Sequence, residues 1–94
     1  MKTAIVRHIL VKEKDLADQL KKKISDGADF AKVAKQYSTC PSAKKGGELG
    51  EVKKGQLVAV IDKAVFSLAE RQLHGPIKSQ FGFHLLEIKF RMDF

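Results

Sequence analysis

Residues 3 to 11 are apolar on both faces of a strand, with Ala4-Ile5-Val6-Arg7-His8-Ile9-Leu10-Val11 at their heart, and residues 83 to 90 repeat the pattern through Phe83-His84-Leu85-Leu86-Glu87-Ile88. A strand without a polar face is best buried in the middle of a sheet, so these two are expected to pair there, antiparallel. From Asp15 to Asp26 the period becomes helical, with Leu16, Ala17, Leu20 and Ile24 on one side and Gly27 as the stop. Asp29 offers an N-cap to a second helix whose buried stripe is Phe30, Val33, Ala34 and Tyr37. Ser38-Thr39-Cys40-Pro41 predicts a further short helical turn, because proline suits the first helical position and cannot continue a strand. Gly46-Gly47-Glu48-Leu49-Gly50 and Gly55-Gln56-Leu57 mark turns around a short strand from Gly50 to Lys53. Ile61, Ala64, Val65 and Leu68 give a short helix. Gly75-Pro76 then precedes a short strand, which Phe81-Gly82 turns into the last one. The predicted order is β-α-α-α-β-α-β-β, an α+β fold with one sheet and helices packed on it.

Ninety-four residues, 44% of them apolar, make one domain over residues 1–94. The single cysteine excludes an internal disulfide, and Arg7 and His8 interrupt the first apolar run before it resembles a leader. No run approaches the ~20 apolar residues of a membrane span, so a soluble, cytoplasmic monomer away from membranes is expected. The net charge of +7 is concentrated in lysines such as Lys12, Lys14, Lys21, Lys22, Lys23, Lys32, Lys35, Lys44 and Lys45. One reading is attraction to nucleic acid or another polyanion. The other is a solvated helix face interspersed with Asp15, Asp18 and Asp26, and it is favoured: Trp is absent and only Phe30 and Tyr37 lie among these lysines, so no stacking platform is evident. The glycine spacing fits neither G-x-G-x-x-G nor G-x-x-x-x-G-K-[ST], which argues against a nucleotide site.

Each histidine alone reads as a satisfied core residue. If the terminal strands pair, however, His8 and His84 become neighbours, and with Cys40 and the glycine-punctuated apolar loop they form the leading candidate site. Cys40 at a helix N-terminus would be biased toward thiolate by the unpaired N–H groups there; a small buried apolar residue is the plain alternative.

The motifs His8-Ile9-Leu10-Val11, Cys40-Pro41-Ser42, Gly47-Glu48-Leu49-Gly50, Gly55-Gln56-Leu57, Gly75-Pro76-Ile77 and Ser79-Gln80-Phe81-Gly82-Phe83-His84 stand in an order that resembles the parvulin-type peptidyl-prolyl cis-trans isomerases over essentially the whole chain. The resemblance implies a four-stranded antiparallel sheet surrounded by four helices, of parvulin/FKBP-like form, acting on X-Pro bonds with no cofactor and no metal. It places the family's paired histidines at His8 and His84, its active-site cysteine or aspartate at Cys40, its hydroxyl residue at Ser79, and its proline-binding wall at Leu49, Leu57, Ile61 and Phe81. Since the family tolerates aspartate at Cys40, the resemblance favours an electrostatic role for it, with the histidines as structural parts of the site.

This chain departs from the usual pattern in having Leu57 for methionine, Ile61 for phenylalanine, Val52 for an aromatic and Arg71 for a turn glycine. The implied partners are proline-containing peptides and unfolded or nascent proteins, without dependence on phosphate. The rivals are a chaperone that holds chains in the same groove with little turnover, and a nucleic-acid binder using the lysines.

Overall fold

The first and last strands, β1 (Lys2–Val11) and β4 (Gly82–Asp93), pair antiparallel at the centre of one four-stranded sheet. Outside β1 lies β2 (Glu48–Lys53), and outside β4 lies β3 (Leu73–Ser79), so the spatial order is β2-β1-β4-β3. This computed structural model describes residues 2–93. The helices are α1 (Lys14–Ser25), α2 (Phe30–Tyr37) and α3 (Ala59–Val65). The third helix of the predicted order is a five-residue 3-10 turn, Pro41–Lys45. It stops at Gly46, which adopts a left-handed conformation and turns the chain toward β2.

Alternation along β1 sorts its side chains onto two cores. Ile9 and Val11 face α1 and α2, where they pack with Ala17, Leu20, Phe30, Val33, Ala34 and Leu85. Asp29 caps α2 by accepting a hydrogen bond from the Lys32 N–H at 3.0 Å. On the same side Arg7 lies 4.2 Å from the Phe30 ring centre and donates to Glu87 at 2.7 Å, which explains how a charge is tolerated in a central strand. Ala4 and Val6 face the other way, packing with Leu86 and Ile88 under Ile61, Ala64 and Val65 of α3. Alternation carries His8, Leu10 and His84 onto this second face, beyond the patch that α3 covers.

The strands differ from expectation at their limits and irregularities. β2 begins at Glu48 rather than Gly50 and carries a bulge, because Val6 pairs with Gly50 and Arg7 with Glu48, leaving Leu49 as the extra residue. β3 begins before Gly75-Pro76 instead of after it. The ladder shifts register between His74 and Ile77, and this bulge accommodates a proline that has no N–H to donate. Two glycines press on the sheet at the histidines. A Cβ at Gly47 would collide with the His8 carbonyl, and one at Gly75 with the His84 carbonyl. Both have positive φ, 86° and 123°, so the chain needs glycine there for space and for conformation.

Candidate active site

His8 and His84, 76 positions apart in sequence, meet on the uncovered half of the sheet with their Nδ1 atoms 3.2 Å apart. The ring centres are 5.4 Å apart and the planes 17° from parallel. His84 Nε2 lies 2.6 Å from Ser79 Oγ, and that oxygen also accepts from the Phe81 N–H at 3.1 Å. A continuous chain therefore runs from Phe81 through Ser79 and His84 to His8. It carries its protons in one of two senses. Either Ser79 donates to His84 Nε2 and His84 donates from Nδ1, or both imidazoles donate in the opposite direction. In each sense the chain ends at His8 Nε2, which is buried without a hydrogen-bond partner among the described residues.

Both imidazoles are held neutral. Burial, with the neighbouring His84 adding to it, pushes His8 from the ordinary 6.5 down to about 4. Burial also lowers His84. The third histidine, His74, is outside this cluster, with Nε2 2.7 Å from the Ala69 carbonyl oxygen.

Above the pair opens a cavity of about 380 Å³. Its lining includes His8, His84 and Cys40, and all four predicted wall residues, Leu49, Leu57, Ile61 and Phe81. Ser79 stands behind His84, outside the lining. Each wall residue arrives by a different route: Leu49 from the bulge in β2, Leu57 from the turn before α3, Ile61 from α3 itself, and Phe81 from the β3–β4 turn. Ile61 is almost wholly buried at 2% exposure, whereas Phe81 is 56% exposed and forms the rim. Leu10, Thr39, Pro41, Gln56 and Val58 complete the lining and were missed from sequence. The signal for Leu10 was present, since it lies two residues from His8 on the same strand face.

Cys40 caps the 3-10 turn as expected, but its side chain makes no capping hydrogen bond. Val52, where the wall resemblance led to an aromatic, is a core residue at 6% exposure and does not line the cavity. Arg71 takes the left-handed conformation of the glycine it replaces, φ 62°, and its N–H donates to the Ile88 carbonyl. That conformation costs a residue with a side chain roughly 1–2 kcal/mol. Among the described residues, no group of three or more His, Cys, Asp or Glu side chains is placed to hold a metal ion. No helix of the described residues is long and apolar enough to cross a membrane.

An apolar cup over a neutral imidazole pair, on this sheet order, is the arrangement that the resemblance to the rotamases implies. The sequence profile of the PPIC-type PPIase (rotamase) domain matches residues 8–89, and the chain belongs to this parvulin-type peptidyl-prolyl isomerase family. It is 45% identical over 84 residues to the foldase protein PrsA 4 of Bacillus cereus, covering 88% of this chain and 30% of that protein. The chain thus spans about 30% of the length of the curated foldases it matches. In structure it is similar to the peptidylprolyl isomerase PrsA of Bacillus anthracis, with a TM-score of 0.93 and 32% identity over 98% of this chain and 43% of that one. The parvulin NmPin of Nitrosopumilus maritimus is matched almost end to end, 94% of this chain and 96% of that one, with a TM-score of 0.84 and 36% identity.

Proposed function

We propose that this chain accelerates rotation about X-Pro bonds in unfolded or nascent polypeptides by seating the pyrrolidine ring against Leu49, Leu57, Ile61 and Phe81. The observation that carries the reading is the union of that apolar cup with a polar, uncharged floor in one cavity of about 380 Å³. That volume lies within the range of ordinary ligand sites.

Amide resonance sets a barrier of ~18–20 kcal/mol to this rotation. No bond has to break, so the site must hold the twisted amide more tightly than the planar one. A preference of ~4–6 kcal/mol would give roughly 10³- to 10⁴-fold acceleration. The cup fixes the ring, and its apolar walls remove water that would solvate the planar, more polar amide. Cys40 lines the same cavity and acts on the substrate carbonyl through its field. Rotation about the bond requires no net proton transfer, so the part of the neutral His8–His84 pair is to shape the floor and hold Ser79 in place.

The test is exchange of an Ala-Pro peptide followed by NMR, without added metal or nucleotide. Acceleration at micromolar protein supports the reading, and the uncatalysed rate alone defeats it. A second reading, a holdase with little turnover, is favoured by the half-exposed Phe81 at the rim. Suppression of aggregation of an unfolded client together with an uncatalysed exchange rate would select it.

A further inference from the structure

The pairing of β1 with β2 ends at Arg7, opposite Glu48, so the edge of β1 beyond that point has no strand beside it. The His8 N–H nevertheless donates to the Gly47 carbonyl at 2.9 Å. Two residues further on, the Leu10 N–H donates to Ser38 Oγ at 3.0 Å, and the Leu10 carbonyl accepts from the Thr39 N–H at 2.8 Å and from Thr39 Oγ1 at 3.2 Å. A serine hydroxyl thus occupies the place where a neighbouring strand would present a carbonyl.

The same oxygen accepts a second, longer hydrogen bond from the Cys40 N–H at 3.4 Å. Ser38 is also the C-cap of α2, but that task falls to its backbone, whose N–H donates to the Ala34 carbonyl at 3.0 Å. Its side chain is left free to tie the segment carrying Cys40 to the strand carrying His8.

We infer that Ser38 is a positioning residue, whose hydroxyl fixes Cys40 relative to the imidazole pair by bridging the Leu10 and Cys40 amides. The inference rests on the proposed role of Cys40 in the site. Removing the hydroxyl strands the Leu10 donor and frees the loop, and small misplacements of a positioned group are expensive in rate.

The decisive comparison is Ser38→Thr against Ser38→Val, two side chains of equal shape of which only the first keeps the hydroxyl. Ser38→Thr is expected to retain most of kcat and the wild-type rate of Cys40 alkylation by iodoacetamide. Ser38→Val is expected to lose roughly tenfold in kcat with KM little changed, and to alter the alkylation rate severalfold. Added to Cys40→Ala, the Val substitution should cause no further loss, because its effect passes through Cys40. Equal alkylation rates in the Thr and Val variants, or full additivity with Cys40→Ala, would overturn the inference. If Ser38→Val does not fold, amide hydrogen exchange on the unaltered protein decides: Leu10 protected as well as His8 supports the bridge, and a freely exchanging Leu10 amide overturns it. A Cys40→Ala variant as active as wild type would instead remove Cys40 from the catalytic reading, while a difference in alkylation between Thr and Val would still record the tether.

Discussion

His8 and His84 share a contact that has room for only one proton, between Nδ1 atoms 3.2 Å apart in a buried setting. Charging either ring is opposed by its burial, and charging both places like charges in contact. The pair is thus a neutral structural element that acid takes apart.

Stability is expected to depend on pH accordingly. The His8 value is lowered in the folded state, from 6.5 to about 4, so the unfolded chain binds the proton first. The contribution of neutral His8 is complete above about pH 6.5 and is lost as pH falls from there toward about 4, by up to ~1.4 kcal/mol per pH unit, and the lowered His84 adds in the same direction. Urea midpoints measured across this window should fall steadily, and His8→Phe should flatten the fall. An unaltered slope in that variant would show that the imidazoles are not the groups responsible.

Cys40 is expected to accept aspartate better than alanine. On the proposed reading, aspartate at the start of the 3-10 turn keeps a polar group facing the substrate carbonyl, and alanine removes it. Turnover of Cys40→Asp should therefore exceed that of Cys40→Ala at least tenfold, with both folds intact by circular dichroism. Equal loss in the two variants would make thiol-specific or covalent chemistry the better account.

Two wall residues should separate binding from folding. Ile61 is closed into the core, so Ile61→Ala is expected to lose ~2–4 kcal/mol of stability along with activity. Phe81 is 56% exposed, so Phe81→Ala should leave the melting temperature nearly unchanged and raise KM severalfold. A large drop in melting temperature for Phe81→Ala would mean that the rim is part of the scaffold.

Before proline, an uncharged or apolar residue is expected to be preferred. Val11 leads into α1 through only Lys12 and Glu13, leaving no long basic loop, and Lys12 and Lys14 lack the bidentate fork of arginine. Lys14 is also engaged with Asp18 at 3.0 Å. Comparing kcat/KM for alanine, leucine, glutamate and phosphoserine before proline should give acidic residues only a weak advantage that salt removes. A strong phosphoserine preference that survives ~0.15 M salt would contradict this.

Much of this architecture was legible wherever a residue's neighbours in sequence decide its state. The doubly apolar terminal strands announced their central places, Asp29 its cap, and Cys40-Pro41 its turn. The order of motifs, by resemblance, supplied the four wall residues. What sequence did not convey depends on contacts across the fold. Leu49 reaches the cavity because the β1–β2 ladder skips it, and Gly75-Pro76 lies inside a strand because a bulge absorbs the missing donor. Val58 joins the lining as the N-cap of α3, which starts at Ala59, two residues before its apolar period begins at Ile61. The hydrogen bonds of Ser38 to β1 have no sequence signature, since serine after a helix is commonplace.

The pairing of β1 with β4 has a temporal consequence. The two imidazoles belong to strands drawn from opposite ends of these residues, so neither half of the cavity floor exists until the last strand has docked beside the first. Ser79 waits on the same event, because its partner is on β4. During refolding, turnover should reappear only with the final, most non-local step, after the local helices have formed. Turnover is therefore expected to be a stopwatch for completion of this fold, because a fragment ending before Gly82 would carry all four wall residues and His8 yet lack His84 and the strand that completes the floor.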